Sequence, residues 1–310
     1  MSKVAIIMST FNGREFIKEQ LTSILNQSYT NFTLFIRDDG SDDSTLSILQ
    51  SYATTDSRIK LIIDNPGKLN NNVGFGKSFT KAMQYALKHG QYDYFAFCDQ
   101  DDYWENSKIE AAVNALNNSD SNIPGLYASN YYICNEKLNV LDTFSQSSPM
   151  KGVTFENMFF EGVFPGFTLV INRSLAEMAF SHTNADDIYY HDKWVTLIAL
   201  GCDGKIIYDH TPLAKYRRHD SAASSTNLGA LTKLKWRINK VLNGDFCPRT
   251  KQMLISYKDL FYKKVNYDIK DFLDIFTGNS TIKKLFFGKR LRRSLSGEIL
   301  LRIIILIHKI

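Results

Sequence analysis

Several familiar devices are missing from this chain of 310 residues. Its 4 cysteines, Cys98, Cys134, Cys202 and Cys247, are too scattered for a zinc site or a disulfide framework, a pattern that fits a reducing compartment. No apolar run reaches the roughly 20 residues that a membrane-spanning helix needs. The first strand-like run, residues 4–8, has no charged segment, apolar stretch or cleavage site ahead of it, so no secretory signal is expected. A glycine-rich nucleotide loop is also lacking. Gly74-Phe75-Gly76-Lys77-Ser78 resembles one, but Asn71 stands where a P-loop needs glycine, and Phe79 where a dinucleotide fingerprint needs it. Asn72-Val73-Gly74 instead reads as a turn that starts a helix. There is no internal repeat and no low-complexity tract.

What is present is enough apolar material, 44%, for a sizeable core, in one large domain or two. The formal charge of +5 hides a division. Residues 231–310 hold 18 Lys and Arg against 6 Asp and Glu, while the first 230 residues carry a net negative charge. Such asymmetry predicts a body that does chemistry and a basic appendage that finds an anionic surface, and it argues against the body as a nucleic-acid binder. Short apolar runs at 4–8, 33–37, 59–63 and 94–98 alternate with helical patterns at 44–52, 77–88 and 108–116. That alternation is the signature of a parallel sheet. Further strands are expected at 126–130 and 168–171, a helix at 192–200, and a helical, basic region after residue 225. The expected division is residues 1–225 and 226–310.

The most informative stretch is Tyr94-Phe95-Ala96-Phe97-Cys98-Asp99-Gln100-Asp101-Asp102-Tyr103-Trp104. A buried strand stops abruptly in three carboxylates, which repel one another unless a cation sits among them. Hard oxygen ligands of this kind suit Mg²⁺ or Mn²⁺, and ligands of open α/β sheets bind beyond the carboxyl ends of the strands. The competing reading is a solvated acidic turn. The second strand ends in Asp38-Asp39-Gly40-Ser41-Asp42-Asp43-Ser44-Thr45, facing the same sheet edge. Asp43 or Ser44 can cap the next helix, whereas Asp38 and Asp39 are expected to touch a ligand. Three later features complete the set. His191-Asp192 stands at a helix start, Phe164-Pro165-Gly166-Phe167 is a turn that could line an acceptor pocket, and Tyr216-Arg217-Arg218-His219 offers a metal ligand and phosphate-binding charge.

Ser9-Thr10-Phe11-Asn12, Asp38-Asp39-Gly40-Ser41, Asn72-Val73-Gly74, Asp99-Gln100-Asp101-Asp102-Tyr103-Trp104 and His191-Asp192 follow one another in that order. Over about residues 3–220, the chain resembles the family 2 glycosyltransferases. The Asp-Gln-Asp-Asp-x-Trp form, followed by His-Asp-x-Trp and Tyr-Arg-x-His, is most similar to the bacterial rhamnosyltransferase branch. The resemblance implies the GT-A fold, an α/β domain with a mostly parallel sheet that binds a nucleotide-sugar. It places Ser9, Thr10, Asn12 and Asn72 in the nucleotide-sugar pocket with Asp99, and sets Asp39 against the base or ribose. It makes Asp99 and Asp101 the Asp-x-Asp motif for Mn²⁺ or Mg²⁺, with His219 a third metal or diphosphate contact. Asp192 becomes the general base, with His191 where the family commonly has Glu.

The implied reaction is an inverting transfer by single displacement. With dTDP-β-L-rhamnose as donor the product would be an α-L-rhamnoside; a UDP-hexose is the alternative donor. The implied acceptor is a lipid-linked oligosaccharide of cell-surface polysaccharide synthesis. In the basic tail, Lys283, Lys284, Lys289, Arg290, Arg292 and Arg293 interleave with Leu285, Phe286, Phe287, Leu291 and Leu295 before an apolar run at 299–307. This run is too short and too charged to span a bilayer but suits a helix lying in an anionic interface. The expectation is docking on the cytoplasmic membrane face; the alternatives are packing on the body or against a second subunit as a homodimer. Two other classes of function remain open. A nucleotidyltransferase would need a basic, glycine-rich loop where residues 9–14 offer one glycine and one arginine. A noncatalytic nucleotide-sugar or glycan scaffold would have little use for Asp99, Asp101 and Asp192.

Overall fold

The structure is a computed structural model that describes residues 1–64, 70–144, 151–219 and 246–308. Its strands are β1 (Val4–Thr10), β2 (Phe32–Asp38), β3 (Ile59–Leu61), β4 (Tyr94–Cys98), β5 (Tyr103–Trp104), β6 (Gly125–Cys134), β7 (Val140–Thr143), β8 (Leu169–Asn172) and β9 (Lys205–Arg217). They form one sheet in the order β3-β2-β1-β4-β8-β6-β9-β5, with β7 paired to β6. The first four are parallel. β8 then runs antiparallel between β4 and β6, and β9 lies parallel to β6.

The parallel half is apolar on both faces because both are covered. On β1, Ala5 and Ile7 join Phe95 and Phe97 in one core, while Val4, Ile6 and Met8 join Leu34, Ile36 and Ala96 in the other. The second core is closed by α1 (Ile17–Leu25), α2 (Thr45–Thr55) and α4 (Lys108–Asn117). The first is closed by α3 (Phe75–Lys88), α5 (Phe155–Phe160), α6 (Arg173–Phe180) and α7 (His191–Gly201). α3 begins where expected. Gly74, at φ 84, ends the preceding turn in a conformation that glycine adopts at no steric cost.

The carboxy-terminal region is helical: α8 (Phe246–Phe261), α9 (Tyr267–Thr277), α10 (Thr281–Leu285) and α11 (Leu295–His308). These helices continue the core of the body. Tyr257 lies against Phe155 at 4.8 Å between ring centroids, Phe261 against Trp194 at 5.9 Å, and Phe272 against Phe159 at 5.5 Å. Leu301, Ile304 and Ile305 are buried in the same cluster. The expected boundary at residue 225 lies outside the described residues.

Candidate active site

The site occupies the carboxyl ends of β1, β2 and β4, where three loops interlock. After β1, the Thr10 hydroxyl donates to Asp38 Oδ2 at 2.8 Å. Asn12 takes a left-handed backbone at φ 48. Its amide donates to Ser41 Oγ at 2.9 Å, and its side-chain oxygen accepts from the amide of Asp42 at 3.0 Å. Gln100, between the carboxylates after β4, closes the ring. Its side-chain amide accepts from Phe11 N at 2.9 Å and donates to Phe11 O at 3.0 Å. A Cβ on Gly13 would stand 2.3 Å from Gln100 Oε1, so only glycine lets this clamp form.

The acidic turn after β2 is built into the interior of the protein. Asp38 and Asp39 are both buried and fully engaged inside the protein. Asp38 accepts from the amide of Ser41 at 2.9 Å and its hydroxyl at 2.6 Å, besides Thr10. Asp39 pairs with the fully buried guanidinium of Arg37 and accepts from the amides of Val73, at 3.0 Å, and Gly74, at 2.9 Å. Arg37 also pairs with Asp64 at 2.8 Å and donates to Ser78 Oγ at 3.0 Å, which in turn accepts from Ser9 Oγ at 2.7 Å. Asp39 therefore acts through the turn at Asn72-Val73-Gly74, while Asn72 itself stays exposed. Asp43, one residue before the N-cap Ser44 of α2, accepts from the amide of Thr45 at 2.8 Å, while Ser44 makes no side-chain capping bond.

Beyond β4 the carboxylates separate by environment. Asp99 is partly buried, and its carboxyl is pushed up to about 8 by burial, then by Asp101, then by Asp192. Asp101 Oδ2 meets His219 Nε2 at 3.0 Å. Asp102 turns inward, accepts from the amide of Arg217 at 3.1 Å, and is held well above the usual carboxylate range by burial, Asp101 and Asp99. The pairing of β5 with β9, Tyr103 opposite Lys215, brings His219 to Asp101 across 118 positions of sequence. Arg217 anchors that junction, donating to Asp101 O at 2.8 Å and pairing with Glu19 at 2.5 Å. Phe16 supports both side chains, with Arg217 4.5 Å above its ring and the His219 ring 4.7 Å away.

Asp192 is the second residue of α7, partly exposed, and accepts from the amide of Lys193 at 2.7 Å. His191 points the other way. It is buried between Phe79, at 4.0 Å, and Phe97, at 4.8 Å, and burial pushes its imidazole down to about 4. Gly166 passes so close that a Cβ there would lie 2.6 Å from His191 Nε2. The rings of Phe164 and Phe167 are buried too, so that turn supports His191 and offers no phenyl face to a ligand.

Sequence reasoning missed Gln100, Arg37 and Phe16. Arg37 carried a signal, a charge set in an apolar strand that would have to find buried partners. Gln100 and Phe16 carried none, since their roles depend on how distant loops meet.

A family model described as glycosyl transferase family 2 matches residues 5–174. The chain is 31% identical over 244 residues to the dTDP-rhamnosyl transferase RfbG of Shigella flexneri, a match that covers 76% of this chain and 79% of that one. It is 28% identical over 278 residues, 86% and 97% of the two chains, to the UDP-Glc:alpha-D-GlcNAc-diphosphoundecaprenol beta-1,3-glucosyltransferase WfgD of Escherichia coli. Among solved structures, S. aureus TarS 1-349 in complex with UDP is similar with a TM-score of 0.58 at 17% identity, covering 92% of this chain and 72% of that one. The likeness to TarS is one of fold. The chain belongs to glycosyl transferase family 2, and its fold is GT-A.

Proposed function

We propose that this glycosyltransferase moves L-rhamnose from dTDP-β-L-rhamnose onto a hydroxyl of a lipid-linked saccharide, with inversion, during cell-surface polysaccharide synthesis. The observation that carries the reading is the convergence of Asp99, Asp101 with His219, and Asp192 at one sheet edge. The rhamnosyl donor rests on the similarity to RfbG. The lipid-linked acceptor rests on the similarity to WfgD, whose name specifies a diphosphoundecaprenol-linked sugar.

In this reading the loop at Ser9, Thr10 and Asn12, the turn at Asn72 and the carboxyl of Asp99 form the nucleotide-sugar pocket, with Asp39 fixing the turn and set against the base or ribose. Asp192 takes the proton of the acceptor hydroxyl as its oxygen attacks the anomeric carbon; general-base catalysis of this kind contributes about 10²–10⁴-fold. Among the described residues no three His, Cys, Asp or Glu side chains form a ready metal cage. The donor set still fits Mg²⁺ or Mn²⁺. Ions of this kind are held through one or two carboxylates plus substrate phosphates, and burial, then Asp101 and Asp192, already push the Asp99 carboxyl up to about 8. Asp101 and His219, with Asp99 beside them, would hold the ion, which when bound offsets charge on the leaving diphosphate.

No helix among the described residues is long and apolar enough to cross a membrane. α11 instead exposes Leu295, Ile299, Ile303, Leu306 and Ile307. At 100° per residue these lie within one 120° arc of the helix. Exposed Ile282, Lys283, Phe286 and Arg290 precede it. A surface that combines apolar side chains with positive charge complements an anionic bilayer, so the protein docks peripherally on the inner face of the plasma membrane.

A donor screen with Mn²⁺ or Mg²⁺ tests the chemistry. Binding and slow hydrolysis of dTDP-rhamnose, lost in Asp101→Ala, is the expected result, with Asp192→Asn retaining donor binding but losing about 10²–10⁴-fold in transfer. A response to UDP-hexoses alone would refute the rhamnosyl donor. Flotation with vesicles containing phosphatidylglycerol tests the docking. Ile299→Asp with Ile303→Asp should leave the protein folded and in the unbound fraction; equal partitioning of variant and wild type would refute it.

A further inference from the structure

Gly74-Phe75-Gly76-Lys77-Ser78 lacks the glycine spacing of a nucleotide loop, yet each of its residues is engaged. Toward the donor loops, the amide of Gly74 donates to Asp39 at 2.9 Å, and Ser78 Oγ meets Ser9 Oγ at 2.7 Å and Arg37 at 3.0 Å. Toward the general base, the same turn of α3 meets residues 186–190. Lys77 pairs with Asp186. The ring of Phe75 lies 5.1 Å from that of Tyr189 and 6.2 Å from that of Tyr190. A Cβ on Gly76 would collide with the carbonyl oxygen of Tyr189 and stand 2.6 Å from that of Ile188, so only glycine lets the two backbones touch. One turn further along α3, Phe79 carries the ring of His191 at 4.0 Å.

Asp192 comes next in the chain. The run that leads into it is thus held along its length by the amino end of α3, whose other contacts hold Ser9 and the turn at Asn72-Val73-Gly74. α8 grips the same run: Gln252 donates to Asp187 at 3.2 Å, and Arg249 lies 3.7 Å above the ring of Tyr189. Close-packed elements of this kind transmit displacement rather than absorb it. The precision matters, because a base misplaced by about 1 Å can cost about 10²-fold in rate.

We propose that Gly76 and Lys77 are positioning residues for Asp192: the first turn of α3 fixes the general base relative to the nucleotide pocket and passes the filling of that pocket on to it. This rests on the sugar-transfer reading above and adds the device that brings the donor side and the base into register. A nucleotide that immobilises the turn before α3 leaves the run packed on α3 with less motion to lose, which is how two sites couple without a change of shape.

Hydrogen exchange of the full chain, followed by mass spectrometry with and without saturating dTDP or UDP, reads the transmission. Nucleotide should slow exchange at residues 70–76 and also, by about fivefold or more, at 188–194. In Lys77→Glu the second effect should vanish while the first remains. Exchanging the charges, Lys77→Glu with Asp186→Lys, should restore it. The pair lies at the surface, with Asp186 62% exposed, so neither variant threatens the fold. Protection confined to 70–76 in the wild type would overturn the proposal, as would protection of 188–194 that survives Lys77→Glu or that the exchanged pair fails to restore. No protection anywhere would refute the nucleotide-sugar reading and the proposal with it, so the two failures are distinct. A kinetic readout separates positioning from general loosening. Slow hydrolysis of the donor should fall at least about tenfold in kcat in Lys77→Glu, with KM unchanged. An unchanged kcat, or a rise in KM alone, would overturn the assignment.

Discussion

Acidification should weaken this fold through His191, and the size of the loss follows from where the ring sits. The imidazole is 5% exposed, packed on Phe79 and Phe97, and neither ring nitrogen has a hydrogen-bond partner among the described residues. Burial lowers its pKa to about 4, with Asp192 pulling weakly the other way. In the unfolded chain the same group titrates near about 6.5. Between those values the unfolded chain binds a proton that the native state refuses. The contribution is therefore whole above about pH 6.5 and lost as pH falls through about 4. At about pH 4.5 the loss amounts to roughly 2.5 kcal/mol. His191→Phe keeps an aromatic ring in the stack and removes the titration. Its own packing cost against Gly166, about 1–3 kcal/mol, is the same at every pH. Urea unfolding of both proteins at about pH 7 and about pH 4.5 isolates the effect. Wild type should lose roughly 2.5 kcal/mol more than His191→Phe between the two conditions. Equal losses would refute the reasoning, because they would mean that the native ring accepts its proton without penalty.

Two further outcomes test the loops that shape the site. Arg37→Met leaves Asp39 buried with two amide donors and no counter-charge, so urea unfolding should show a loss of about 3–5 kcal/mol; a loss under about 1 kcal/mol would mean that the turn does not depend on the pair. Gly13→Ala forces Gln100 off Phe11 and forfeits two hydrogen bonds worth about 0.5–1.5 kcal/mol each. Nucleotide binding, followed by calorimetry, should weaken more in Gly13→Ala than in Gln100→Ala, which removes the clamp without adding a clash.

The carboxyl-edge placement of the acidic motifs was legible because it follows from local pattern. Tyr94 to Cys98 is apolar without interruption and so had to be a strand buried on both faces, and its end had to be where Asp99 and Asp101 emerge. The partner of Asp101 was legible only as a residue type. His219 reaches Asp101 because two residues of β5, Tyr103 and Trp104, pair with β9, a strand too short to show any period in sequence. The internal partners of Asp38 and Asp39 were hidden for the same reason. Two adjacent carboxylates at a strand end look like ligands until buried Arg37, itself in the strand, is found to face Asp39.

The division into body and basic tail was read from charge, and charge alone does not show which cations stay at the surface. Lys289 pairs with Glu156 at 2.7 Å, Arg292 and Arg293 share Glu161, and Arg302 pairs with Glu298 at 2.8 Å. Lys289, Arg292 and Arg293 thus hold the segment that leads into α11 against α5, while the Arg302–Glu298 pair lies within α11 itself. The apolar stripe that remains outside is what such fixed packing requires: a helix whose Leu301, Ile304 and Ile305 are locked into the core must hold Ile299 and Ile303 outward. A helix that merely floated on its body could turn those side chains inward. This one cannot without losing three buried residues, each worth about 1.5–3 kcal/mol, so its exposed face is maintained against a steady hydrophobic cost that a membrane would relieve.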